Sequence, residues 1–150
     1  MSASAATDHG VSVREPVERV RQWQVSTREG TIKDTPKWLS SLLDELTALS
    51  RLPANWDSYE ARAIDPQAAL MTARFLCLVL REDAVLPKLV PTVGGNIQLE
   101  WYNDRAELEI EVGAQGPLTA CFVDHRSSEE WETEITADLA TIVGKISACF

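Results

Sequence analysis

Two runs of alternating residues, Ile97-Gln98-Leu99-Glu100-Trp101-Tyr102 and Ala106-Glu107-Leu108-Glu109-Ile110-Glu111-Val112, flank a short polar stretch. Strand side chains point alternately to opposite faces, so each run has one apolar face and one polar face. Asn103 and Asp104, between the runs, tolerate the positive φ of a tight hairpin turn. A two-residue loop there sets Tyr102 opposite Arg105, Trp101 opposite Ala106, Leu99 opposite Leu108 and Ile97 opposite Ile110. Every apolar side chain then falls on one face, so turn chemistry and alternation predict the same hairpin.

That register has an electrostatic consequence. Glu100 faces Glu107 on the polar side, Glu109 faces Gln98, and Glu111 lies beyond. Like charges opposed across a strand pair are destabilising. Water and salt, a nearby base such as Lys88, a raised pKa, a bound cation or a basic partner would each relieve the strain. Along one strand, alternate carboxylates are spread by about 7 Å, too far for one ion to take all three. Only the cross-strand pair could share an ion, and oxygen ligands would suit Mg²⁺, Ca²⁺ or Mn²⁺.

The rest of the body is helical at both ends. Thr35-Pro36 pairs a capping residue with proline at a first helical position, and Leu39, Leu42, Leu43, Leu46 and Leu49 follow at helical spacing. Pro53 ends that helix. Asp65-Pro66 repeats the start signal for a helix to about Glu82, apolar on most sides and therefore central. Residues 87–93 read as a short edge strand or extended entry limited by two prolines, Gly94-Gly95-Asn96 as a turn, and residues 118–123 as a further strand. Ser127 or Ser128 caps a last helix carrying Trp131, Ile135, Leu139, Ile142, Val143 and Ile146 on one stripe. The fold class is α+β: an antiparallel β-meander of three to four strands, packed on one face by about three helices. Residues 1–34 read as a flexible or partly helical N-terminal arm, and residues 35–150 as a single domain.

Charge narrows the partners. The net charge is −9, and residues 100–138 hold eleven Asp/Glu against Arg105 and Arg126. Phosphate backbones and anionic lipid need the opposite sign, so neither direct nucleic-acid binding nor membrane binding is expected. A basic protein partner is the better complement. Three scattered cysteines without a Cys-x-x-Cys pair, and an N-terminus unlike a secretory signal, point to the cytoplasm.

Catalytic signatures are sparse. His9 lies in the arm and His125 in a loop, and Ser58 has no nucleophile elbow around it. Gly94-Gly95 lacks the lysine and following helix of a phosphate loop. No catalytic residue and no cofactor is assigned, and the chain is not expected to be an enzyme. The loop Asn55-Trp56-Asp57-Ser58-Tyr59 combines turn formers with two aromatics of the kind found at binding hot spots. The candidate interaction residues are therefore Asn55, Trp56, Asp57, Tyr59, Glu100, Glu107, Glu109 and Glu111.

Two segments carry a resemblance. Leu52-Pro53-Ala54-Asn55-Trp56-Asp57-Ser58-Tyr59-Glu60-Ala61 and Pro91-Thr92-Val93-Gly94-Gly95-Asn96-Ile97-Gln98-Leu99-Glu100-Trp101 resemble a group of small bacterial proteins. That group has an Asn-Trp-Asp-Ser-Tyr-Gly-Ala-like loop and a Pro-Thr-x-x-Gly-Gly-x-x-Leu-Glu-Trp-like strand. Glu60 and Asn96 stand where the group tends to have glycine. The resemblance implies a bacterial or phage origin and one shared domain over roughly residues 39–145; it implies no reaction. The functional expectation is a non-enzymatic acidic interaction module, narrowed to one that neutralises a basic partner as an antitoxin or immunity protein does. The alternative is a divalent-metal-dependent hydrolase or lyase using Glu100, Glu107 and Asp57.

Overall fold

The computed structural model describes residues 36–135 and 139–150. The arm expected over residues 1–34, and the cap expected at Thr35, lie outside the described residues. Helix α1 (Lys37–Ser50) follows Pro36, and its stripe buries Trp38, Leu42 and Leu46. Helix α2 (Pro66–Val79) starts as expected: Asp65 Oδ1 accepts from Gln67 N at 2.7 Å, with Pro66 at the first position. It ends at Val79 rather than near Glu82. It is also less enclosed than its composition implies, since Ala68, Thr72, Phe75, Leu76 and Val79 are buried while Leu70, Cys77 and Leu78 are exposed.

Five strands follow in one antiparallel meander: β1 (Lys88–Pro91), β2 (Ile97–Tyr102), β3 (Ala106–Val112), β4 (Leu118–Asp124) and β5 (Glu129–Ile135). Helix α3 (Leu139–Cys149) closes the chain. The sheet thus has five strands, one more than the upper bound expected. The addition is β5, where the sequence predicts the start of the last helix. Trp131 and Ile135 are four apart, which suits a helix face, yet they also alternate with Glu130, Glu132 and Glu134. Packing decides between the two periods: Trp131 pairs with Phe122 of β4, their rings stacked 5.4 Å apart. Ser127 and Ser128 are consequently turn residues and not caps. Asp124 Oδ1 accepts from Arg126 N and Ser127 N, and Ser128 takes a φ of 59° to finish the hairpin.

The β2–β3 hairpin keeps its expected faces but not its expected register. Leu99 lies opposite Ile110, Trp101 opposite Leu108 and Tyr102 opposite Glu107. Each β2 residue therefore meets a partner two positions further along β3. The loop is Asp104-Arg105, closed by Asn103 N donating to Ala106 O at 3.1 Å. Asn103 has no positive φ; its Oδ1 instead accepts from Arg105 N at 2.8 Å and Ala106 N at 2.9 Å. The side chain builds the turn that backbone conformation was expected to supply. A slide of two preserves the period of two, so the apolar face survives intact.

That face is the core. Ile97, Leu99, Trp101, Ala106, Leu108, Ile110, Val112, Ala120 and Phe122 are buried on it together with residues of all three helices. Two buried indoles find backbone partners: Trp38 Nε1 donates to Arg81 O and Trp101 Nε1 to Val85 O. The hairpin tip also finishes α3, with Asn103 Nδ2 donating to Cys149 O at 2.7 Å and Arg105 Nη1 to Ala148 O at 2.9 Å. These bonds satisfy carbonyls that a helix C-terminus leaves without partners, and the guanidinium sits at the negative end of the helix dipole.

Candidate functional site: the open acidic face of the sheet

With the helices on one side, the polar positions of all five strands share the other side, which no described element covers. Strand pairing arranges them in rows. Lys88, Glu100, Glu109, Cys121 and Glu132 form one row. Val90, Gln98, Glu111, Thr119 and Glu134 form a second, and Tyr102, Glu107, Val123 and Glu130 a third. Seven glutamates thus occupy one face, and Lys88 is the single lysine or arginine in these rows.

The expected opposition of Glu100 and Glu107 does not occur. Glu100 lies opposite Glu109, Glu107 opposite Tyr102, and Gln98 opposite Glu111. A like-charge pair persists across β2–β3, with the partner of Glu100 two residues further along β3 than expected. Partial compensation is local. Lys88 Nζ lies 3.8 Å from Glu100 Oε2, and Gln98 Nε2 donates to Glu100 Oε1. His125 Nε2 lies 3.1 Å from Glu107 Oε1, and Asn96 Nδ2 donates to Glu111 Oε1 at 2.8 Å. Glu109 and the β5 glutamates 130, 132 and 134 are exposed. Cys121 sits half-buried between Glu109 and Glu132; burial first, and then those two carboxylates, push its thiol pKa up.

On the helix expected after Ser127 or Ser128, Glu130, Glu132 and Glu134 fall at positions off the apolar stripe, open to solvent. The structure puts them on the same face as Glu100, Glu107, Glu109 and Glu111. The signal that could have found them is their own strict alternation with Trp131, Thr133 and Ile135, masked by the four-residue spacing of the two apolar residues.

The aromatic loop is a second feature, and most of its polar residues hold it together. Asn55 and Glu60 both adopt left-handed backbone, with φ of 64° and 70°, and Asn55 Oδ1 accepts from Glu60 N. Asp57 Oδ1 accepts from Tyr59 N at 2.8 Å and Ala61 N at 3.0 Å, and these backbone donors, Tyr59 N foremost, hold its carboxyl below the ordinary value. Trp56 is half-buried, with Nε1 donating to Arg62 O. Tyr59 differs from the others, standing 86% exposed.

The stretch just after the first of the resembling segments bonds to the second. Arg62 N donates to Val93 O at 3.0 Å and Asp65 N to Gly95 O at 2.9 Å. Gly95 has a φ of 86°, and a β-carbon there would lie 2.7 Å from Ala63 O. Glycine is required at that contact by conformation and by space together. The turn is thus tied to residues 62–65, and the loop joins the same stretch through Trp56 Nε1, which donates to Arg62 O.

The carboxylates named for metal chemistry have separate partners: Glu100 engages Lys88 and Gln98, Glu107 engages His125, and Asp57 is held by backbone. Among the described residues no group of three or more His, Cys, Asp or Glu is arranged to hold a metal ion. None of their helices is long and apolar enough to cross a membrane. A depression of about 500 Å³ is lined by Glu100 and Tyr102 together with Trp101, Val85, Leu86 and Phe150. No protein-family model, curated protein or solved structure matches the chain.

Proposed function

We propose that this chain is an acidic, non-enzymatic protein-interaction module whose open sheet face receives a basic surface of another protein. The observation that carries the reading is the gathering of seven glutamates from β2, β3 and β5, with only Lys88 among them, on one face that no described element covers. Such a face concentrates negative potential, raises the encounter rate with a positive patch and repels anionic surfaces. Tyr102, 73% exposed at the end of the same face, supplies an aromatic of the kind that anchors interfaces. Within this class, the chain acts as an antitoxin or immunity protein does, occupying the basic surface of its partner, in the cytoplasm of a bacterium or its phage.

Affinity purification from the cells that naturally make the chain tests the reading. The wild-type chain is expected to retain a basic protein that the Glu107→Lys/Glu109→Lys variant loses, with release of the complex as salt is raised. Equal recovery by the wild-type chain and the variant overturns it.

A further inference from the structure

The two edges of the sheet differ. β1 is four residues long, ends in Pro91 and follows Pro87. Proline has no N–H to donate, and a short edge is a poor template for another strand. β5, at the opposite edge, runs seven residues without proline or glycine. Its inner side pairs with β4 along its whole length, and no described strand pairs with its outer side. It therefore presents a row of backbone donors and acceptors to any extended chain that approaches it.

Side chains decide which chain can add there. On the open face the edge carries Glu130, Glu132 and Glu134, all exposed. On the core side it carries Trp131 and Ile135, both half-buried, with Thr133 between them. A second copy is a poor occupant. Antiparallel β5 strands related by a two-fold axis through the sheet set glutamate against glutamate on the open face in every fully overlapped register. A segment with lysine or arginine at alternate positions reverses the sign of each of those contacts.

We infer that β5 takes up an extended basic segment of a partner protein as a sixth, antiparallel strand. Alternate Lys or Arg side chains of that segment face Glu130, Glu132 and Glu134, and the residues between them are apolar and lie beside Trp131 and Ile135. The inference rests on the acidic-face reading and deepens it: backbone hydrogen bonds supply the docking rail, and the glutamates choose the partner. It also accounts for an edge strand with four glutamates and no lysine, which blocks self-association while leaving the backbone available.

The test uses the full chain and a fluorescent peptide of about nine residues alternating lysine with valine or threonine. Three further peptides serve as comparison: one of the same composition with its lysines in a block, and two N-methylated at alternate backbone nitrogens, in either phase. In a strand, successive N–H groups point to opposite sides, so only one methylated phase removes the donors aimed at β5. The parent peptide and one methylated phase are expected to bind alike, with the other phase and the block peptide weaker by about tenfold or more. Amide exchange over residues 129–135 is expected to slow on binding, and Glu130→Gln/Glu132→Gln/Glu134→Gln is expected to weaken the parent peptide with the fold intact.

Equal binding of all four peptides overturns strand addition; if that binding is lost in Glu107→Lys/Glu109→Lys, the acidic-face reading stands without it. Absence of binding by every peptide overturns strand addition too, and recovery of the basic protein from cells then decides the broader reading by itself. Concentration-dependent dimerisation with exchange protection over residues 129–135 also overturns the inference, because the occupant is then a second copy.

Discussion

Asn103 joins the tip of the β2–β3 hairpin to the end of α3, its Nδ2 donating to the carbonyl of Cys149 at 2.7 Å. The same side chain closes its own turn through Oδ1, which accepts from Arg105 N and Ala106 N. One amide thus fixes the register of a hairpin and caps a helix that begins 36 residues later at Leu139.

Asn103→Ala removes both functions, and unfolding in urea is expected to show a loss of about 2 kcal/mol, from turn and cap hydrogen bonds together. Asn103→Asp keeps the oxygen acceptor and loses the donor to Cys149, so an intermediate loss is expected. A loss of under about 0.5 kcal/mol for the alanine variant would show that the turn closes without this side chain.

Glu60 occupies left-handed backbone, with a φ of 70°, where the resembling proteins tend to have glycine. A side chain there costs about 1 kcal/mol relative to glycine, which has no β-carbon to crowd the carbonyl. Glu60→Gly is expected to raise the unfolding free energy by about that amount, with an unchanged slope in denaturant. Unchanged or lower stability would mean that the ordering entropy of glycine outweighs the relief.

Asp57 and Asp124 both titrate below the ordinary carboxylate value. Backbone donors are the main cause in each: Tyr59 N for Asp57, and Arg126 N and then Ser127 N for Asp124, with Arg105 adding to the latter. A carboxylate whose folded pKa lies below its unfolded one contributes stability above the unfolded value. That contribution is lost as pH falls through the folded value. Stability is therefore expected to be flat, as far as these two groups decide it, from pH 7 to about 5 and to decline below about 4. Asp57→Asn retains an oxygen acceptor but no titration, so urea midpoints measured from pH 7 to pH 2.5 should fall less steeply for the variant.

Glu109 faces Glu100 across the strand pair and pairs with no lysine or arginine among the described residues, while Glu100 has Lys88. Glu109→Lys turns a repulsive cross-strand pair into an attractive one and is expected to stabilise the fold by about 0.5 kcal/mol at low salt. The same change is expected to weaken retention of a basic partner. Higher stability with poorer binding is the pattern of a surface kept acidic for function at the expense of stability. A variant that is both less stable and equally well bound would contradict that view.

Much of this architecture is legible in the residues themselves. Alternation over 97–112 determines which side chains of the hairpin share a face, because the period of a strand is a local property. Asp65-Pro66 determines where α2 begins, because a capping oxygen and a proline without an N–H are local too. Tertiary structure decided the rest. Both possible β2–β3 registers bury the same apolar residues, and the hydrogen bonds of Asn103 selected the one that sets Glu100 against Glu109. Trp131 and Ile135 satisfy helical and extended periods equally, and stacking on Phe122 selected the strand. That choice carried Glu130, Glu132 and Glu134 onto the open face and left β5 at the edge. Local pattern fixes which way a side chain points along its own segment; only packing between segments fixes what it points beside.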